Sequence, residues 1–555
     1  MHLLLISILL LSLCLGQSAM AESVETIARE GMVATSHPQA VQVGIDILKR
    51  GGNAIDAAIA TNAAMGVVEP MSCGMGGDLY AIVYDAKTRK IYGLNASGRS
   101  PYGASIEFFK QKNLDFIPTS GPLSWSVPGC VDGWDQLRQR FGTMDWKQLL
   151  SPAAELAEKG FDVAPTIGGF WKAAEPLLQR HPETRRAFLN AQGRAPRAGE
   201  RMTNADLARS LRLVIAGGRD AYYKGSIARD IVAYSQAQGG LFSARDFEDH
   251  ASTWVQPVSA DYRGYQVWEI PPPGQGISVL QMLNVLEGYD LRALGANSAD
   301  YLHLLIEAKR LAYADRARYY ADPEFTKVPV ERLISKDYAA ARRKLIQPDR
   351  AAPSMPPGEI ALGGDTIYLC VVDKDRNCVS LIQSNYNGFG SGLVPANVGF
   401  VLQNRGTLFA LDPSHANALK PHRRPFHTII PALVMKNDKP CFVFGVMGGD
   451  MQPQGHVQVL VNLLDFGMNV QAAGDSPRVE HVGSATPTGH PERGVGTVQA
   501  EPGISDAVVR ELEKRGHVVT RIAKNGGGYQ GILIDAANVL HGGSESRRDG
   551  KAIGY

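Results

Sequence analysis

The sequence predicts a layered protein of mixed helix and sheet, α/β in the broad sense and more strictly α+β, and two stretches carry that expectation. Residues 36–70 read as two helices joined by a glycine pair, which together make a helical layer. Residues 366–372, T-I-Y-L-C-V-V, are apolar on both alternate sets, Ile367, Leu369, Val371 and Tyr368, Cys370, Val372. Such a strand is buried on both faces and belongs in the middle of a sandwich. A chain of 555 residues is long enough for several domains or for one large multilayer fold, and length alone does not choose.

The start of the chain stands apart. Residues 1–21 open M-H-L-L-L, run apolar from Leu3 to Leu15 and end Ala19-Met20-Ala21, a small-x-small site of the kind a signal peptidase cuts, although no Lys or Arg precedes the apolar run. That run is shorter than the roughly 20 residues of a membrane-spanning helix. The expectation is therefore an exported protein, secreted or periplasmic, with no membrane association once mature. Cys14 lies inside the leader, and the remaining Cys73, Cys130, Cys370, Cys378 and Cys441 are an odd, scattered set without C-x-x-C spacing, so neither a disulfide framework nor a zinc site is indicated. With 57 Lys plus Arg against 55 Asp plus Glu, there is no electrostatic case for nucleic acid or an anionic membrane, and a small neutral or mildly charged molecule is the expected partner.

Taken in order, the helical layer begins with Ser36 as a candidate cap, Pro38 in the first turn and Val41, Ile45 and Leu48 on one side, before Gly51-Gly52 stops it. Asn53 can cap the second, alanine-rich helix, which proline ends near Glu69-Pro70. Residues 72–78, S-C-G-M-G-G-D, invite a phosphate-loop reading, but such a loop follows a strand and opens a helix, whereas here the order is reversed. A tight turn from helix to sheet is expected instead. From 142 to 345 the pattern is mostly helical, and within the helical run 301–315 the His303 and Glu307 pair reads as a solvated edge. Residues 347–362 hold four prolines and no periodic apolar face, the clearest linker in the chain. Gly363-Gly364-Asp365-Thr366 follows, then the doubly apolar strand, a polar turn at 373–377 and a partner strand at 378–384.

An exposed linker that feeds directly into a central strand is an unusual junction, and it suggests chemistry. A threonine hydroxyl is a poor nucleophile until a neighbouring base takes its proton, and a terminal α-amine, with a pKa of about 7.7–8.0, can be that base. Inside an unbroken chain Thr366 has no such amine. Its hydroxyl would first have to attack the Asp365 carbonyl, giving an ester that water opens. Two glycine-rich turns lie downstream: G-F-G-S-G at 388–392, which lets backbone approach a ligand, and F-G-V-M-G-G-D at 444–450, where the Gly448 and Gly449 amides are placed to stabilise an oxyanion. Either turn alone also reads as an ordinary loop.

The series G-G-N-A-I-D-A-A-I-A, G-D-T with V-V-D-K-D-R-N, G-F-G-S-G and M-G-G-D, in that order, resembles the γ-glutamyltranspeptidase family, from about Gly31 to the C-terminus. The resemblance implies an N-terminal-nucleophile hydrolase, an αββα sandwich cut by its own chemistry into a large subunit (22–365) and a small one (366–555). It implies Thr366 as nucleophile, Gly448 and Gly449 as oxyanion donors, and Ser384 as a hydroxyl partner of the new amine. No metal or organic cofactor is implied.

The substrate end departs from the glutathione-processing members of that family. Their carboxylate-clamping arginine aligns with Ser97, with Arg99 two residues on as a possible replacement. Their serine pair is His427-Thr428, their amine-binding Gln and Asp are Arg405 and Leu408, and an asparagine is Tyr386. The stretch 409–425 is too short for the usual lid. Arg405 reads equally as a partner for a substrate carboxylate and as a solvated surface arginine. Three functions stay open at this point: cleavage and transfer of γ-glutamyl amides such as glutathione, hydrolysis of glutaryl or other acyl amides without transfer, and an exported binding protein that kept the fold and lost the chemistry.

Overall fold

The computed structural model describes residues 24–355, 365–523 and 527–555. The leader 1–21 and residues 356–362 of the linker lie outside the described residues. Two seven-stranded antiparallel sheets form the centre. One runs Lys551–Gly554, Met32–Thr35, Asp365–Val372, Cys378–Tyr386, Asp78–Asp85, Lys90–Ala96, Thr253–Val255. The other runs Thr26–Ala28, Leu540–Ser544, Gly528–Ile534, Lys439–Met447, Ala432–Lys436, Tyr265–Glu269, Val258–Tyr262.

The period-2 alternation of the strands sorts their side chains into layers. Ile367, Leu369 and Val371 join a core shared with helices Pro38–Lys49, Ala54–Val68 and Trp146–Lys159. Their neighbours Tyr368, Cys370 and Val372 face the second sheet, against Leu433, Val443 and Met447. Phe442, Phe444 and Val446 point the other way, into a core with helices Gly276–Leu286, Ala299–Tyr319 and Met451–Leu464. The order is therefore helix, sheet, sheet, helix. The strand that reads as apolar on both faces is apolar on both because it lies between two cores.

Helix Ala54–Val68 starts on a reciprocal cap between Asn53 and Asp56 and ends at Glu69 before the proline. Every residue in it is buried, since alanines on all sides let helix and sheet approach closely. Its first free amide, Ala54 N–H, donates at 2.9 Å to Asp373 Oδ2, so the polar 373–377 turn doubles as a cap from the sheet. The first helix is capped by His37 rather than Ser36: Pro38 occupies the first helical position and leaves His37 as the extended residue before it, while Ser36 Oγ donates to Glu69 Oε2 at 2.7 Å.

Helix Ala299–Tyr319 corrects the solvated-edge expectation. His303 and Glu307 are both fully buried. His303 Nε2 is 2.7 Å from Gln347 O and its Nδ1 is 2.8 Å from His517 Nε2. Glu307 accepts from Arg310 at 2.9 Å and from the Ala352 amide at 3.1 Å. The polar face is covered by the first part of the linker and by the C-terminal region, which bring matched donors and acceptors; residues 347–355 are therefore pinned along this helix.

Candidate active site

The site gathers where strands Asp365–Val372 and Asp78–Asp85 begin and strands Cys378–Tyr386 and Lys439–Met447 end. Asp365 pairs with Tyr386 and Ile367 with Gln383, so a bulge sets Thr366 against Ser384 and Asn385. Thr366 is 1% exposed. Its hydroxyl donates to Ser384 Oγ at 3.2 Å and accepts from Gln452 Nε2 at 3.4 Å. Gln452 Oε1 accepts the Ile430 amide at 3.0 Å, which leaves its NH2 group facing Thr366. Ser384 Oγ also accepts the Tyr386 amide at 2.8 Å, helping to hold Tyr386 at φ 75°, a conformation costly for a bulky residue. Close behind stands Gly77, where a Cβ would lie 2.6 Å from the Ser384 carbonyl oxygen. The glycine-rich stretch 72–78 is the helix-to-sheet turn, and it lets backbone approach the strand that carries Ser384.

Strand Lys439–Met447 runs into Gly448 and Gly449, at φ 114° and 59°, before helix Met451–Leu464. The carbonyls of this pair accept the Met451 and Gln452 amides at 3.0 and 3.2 Å. Because the Gly448 carbonyl faces the helix start, the Gly449 N–H on the same peptide faces away from it. Gln452, the second residue of that helix, ties the glycine turn to the Thr366 hydroxyl.

The substrate-side residues fall into two groups. Ser97 bonds Asn95 Oδ1 at 2.6 Å, and Arg99 is ion-paired to Glu324 at 2.8 Å while also donating to the His422 carbonyl. The charge of Arg99 is thus already matched. Arg405 is different. It is fully buried, not a solvated surface arginine, with Nη1 donating to Thr428 Oγ1 at 2.6 Å and its guanidinium 4.6 Å from the Tyr386 ring centre. Its Nε and Nη2 have no hydrogen-bond partner among the described residues. Burial lowers its pKa to about 10, with Asp78 pulling the other way, so it stays charged at neutral pH. His427 accepts the Ile429 amide on Nδ1 at 3.4 Å, which assigns its proton to Nε2, 3.1 Å from Asp78 Oδ2. Burial and Arg405 hold this histidine neutral.

Asp78 accepts the Gly98 amide at 2.9 Å, yet burial pushes its carboxyl up to about 7 against the pull of Arg405, the Gly98 and Gly129 amides and Arg424. An anion arriving at Arg405 would add negative charge beside it and favour its protonated form. The sign follows: carboxylates should bind with proton uptake above about pH 7, and more tightly as pH falls toward that value. The inhibition constant of glutarate is expected to drop by up to about tenfold per pH unit as pH falls from about 9 to about 7 and to level off below, where Asp78 already carries its proton in the free protein, and Asp78→Asn is expected to flatten that slope. A constant unchanged over this range in the parent protein would remove the coupling.

Residues 409–425 form no separate lid; Phe409, Leu411, Ala418 and Leu419 pack down on Ile106, Phe109 and Ile117. The 388–392 turn is used in packing, with the Phe389 ring 5.1 Å from Phe188 and 5.9 Å from Trp171. A cleft of about 1380 Å³ opens at the opposite end of the strands, between hairpin tips that include Arg89, Arg376, Asn437 and Asn538, and no candidate site residue lines it. Asp78, Gln452 and Gln275 were not singled out from sequence. Asp78 ends the glycine-rich stretch and Gln452 stands just past M-G-G-D, so both had a local signal; Gln275 had only its proline- and glycine-rich surroundings.

A family model described as Gamma-glutamyltranspeptidase matches residues 40–555. A glutathione hydrolase-like proenzyme of Bacillus subtilis is 37% identical over 532 residues, covering 95% of this chain and 99% of the relative. An acylase proenzyme of a Pseudomonas species is 35% identical, covering 94% of this chain and 93% of the relative. Among solved structures, cephalosporin acylase from Bacillus halodurans superposes with a TM-score of 0.89 at 40% identity, over 98% of both chains.

Proposed function

The chain belongs to the γ-glutamyltranspeptidase family, and from that premise we propose that it is an exported, self-processing amidase acting on amides whose acyl group ends in a carboxylate, glutaryl-type amides foremost. Processing begins when the Thr366 hydroxyl adds to the Asp365 carbonyl; the peptide nitrogen leaves as the Thr366 amine and water hydrolyses the resulting ester. The freed amine then takes the hydroxyl proton as Oγ attacks the substrate amide. Negative charge on the carbonyl oxygen is met by the Gly448 and Gly449 amides. The protonated amine gives its proton to the departing substrate nitrogen, leaving a threonyl ester. Water, deprotonated by the same amine, releases the acid and restores the hydroxyl.

The observation that carries the acyl preference is Arg405: a buried cation with two unmatched N–H donors beside the Thr428 hydroxyl. A guanidinium fork suits a carboxylate, and leaving such donors unmatched is costly when the ligand lacks one. Arg99, held by Glu324, is a poorer candidate. The similarity to cephalosporin acylase favours the same reading. A second reading, γ-glutamyl amides including glutathione, draws support from Asp78, a buried carboxylate near Arg405 that could meet an α-ammonium while Arg405 meets the α-carboxylate. Turnover of glutaryl and γ-glutamyl anilides by the processed protein separates the two. The glutaryl compound is expected to be the better substrate by kcat/KM; a reversed preference would move the assignment to γ-glutamyl chemistry.

A further inference from the structure

A single buried side chain, Gln275, touches both halves of the site. It stands just before helix Gly276–Leu286 and is 0% exposed. Its Nε2 donates to Gly449 O at 2.9 Å and to Thr428 O at 2.6 Å. One carbonyl belongs to the oxyanion turn. The other belongs to the residue whose hydroxyl accepts from Arg405.

The orientation of this amide is set from behind. Arg316 Nη1 lies 2.5 Å from Gln275 Oε1, and a guanidinium can only donate, so the oxygen faces Arg316 and the NH2 group faces the two carbonyls. The same Nη1 is 2.7 Å from Asp450 Oδ1, the residue after Gly449, and Arg316 lies over the Tyr313 ring at 3.8 Å. Tyr313 in turn donates its hydroxyl to the Asp450 carbonyl at 2.5 Å. The Gly448-Gly449 turn, whose glycine dihedrals give it many alternatives, is thereby fixed at two consecutive residues. Thr428 is fixed to the same point.

From this arrangement we infer that Gln275 is a specificity-setting positioning residue, which fixes the spacing between the acyl-carboxylate clamp at Arg405 and Thr428 and the oxyanion turn at Gly448 and Gly449, and so selects acyl chain length. The inference rests on the carboxylate reading above. An acyl group held at one end by Arg405 presents its amide carbon to Thr366 only if its length matches that spacing, and a misplacement of about 1 Å costs roughly a hundredfold in rate.

Gln275→Glu keeps the shape but cannot donate to two carbonyls, and Gln275→Asn keeps the amide but is one methylene too short to hold both. The test compares succinyl, glutaryl and adipyl anilides in the processed protein and both variants, with thermal melting and subunit processing followed alongside. The expected result is a glutaryl rate lowered about 10- to 100-fold, the ratio between best and worst chain length collapsing to within about threefold, and the inhibition constant of free glutarate, which needs only the clamp, moving less than about threefold. Variants that process normally and keep the parent ratio would overturn the inference while leaving the carboxylate reading intact. A parent protein indifferent both to chain length and to the acyl carboxylate would overturn both. Should Gln275→Glu fail to process, the ratio in Gln275→Asn decides.

Discussion

Thr366→Ala should purify as one uncut chain with amide turnover reduced by about 10⁴- to 10⁶-fold, the loss that follows removal of a covalent nucleophile. The same hydroxyl is assigned two acts, breaking its own peptide bond and attacking substrate, so one substitution removes both. The parent protein should run as two pieces, the smaller beginning at Thr366, and mass spectrometry with N-terminal sequencing reads both ends. The larger piece should begin at Glu22 if the leader is cut as its sequence suggests. Thr366→Ser, which keeps the hydroxyl and the future amine, is expected to process and to retain part of the activity. A parent chain that is active while uncut, or a smaller piece starting elsewhere, would end this assignment; an uncut and inactive parent would favour the binding-protein reading.

Arg405→Ala should lower kcat/KM for a glutaryl amide by about 30- to 1000-fold, the equivalent of roughly 2–4 kcal/mol, while a neutral acyl amide of the same length changes little. Lysine should restore only part of the loss, since a point charge on a flexible stem does not reproduce the fork. Stability separates binding from architecture. Only one of the Arg405 side-chain nitrogens has a partner among the described residues, so the fold gains little from the charge it buries. Arg405→Met should therefore melt no lower than the parent, because a buried cation with a single hydrogen-bond partner and no direct ion pair costs the fold more than an apolar side chain of similar length. A large drop in melting temperature together with equal losses on charged and neutral substrates would identify Arg405 as a structural residue instead.

Much of the fold was legible because its signals are local. The doubly apolar strand after a proline-rich stretch marked Ile367 to Val372 as central, and Asn53 marked the start of the alanine-rich helix, where the structure adds Asp56 as the reciprocal partner of the cap. The glycine pair after an apolar strand marked 448–449 in the same way. His303 and Glu307 misled because their partners, Gln347, Ala352 and His517, are remote in sequence, and a helix whose polar face is covered by matched groups has the same pattern as one facing water. The cap at His37 was missed because Pro38 reserves the first helical position, a matter of one residue.

The sequence by itself singled out the junction proposed to break, the hydroxyl beside it and the glycines that can turn nearby, since each depends on residues adjacent in the chain. Only the tertiary structure decided which arginine is available to a ligand. Arg99 and Arg405 are alike as letters, but one is met by Glu324 from a distant loop and the other is buried beside Thr428 with donors to spare. Whether a charge is matched depends on what the rest of the fold carries to it, and that is written in no single segment.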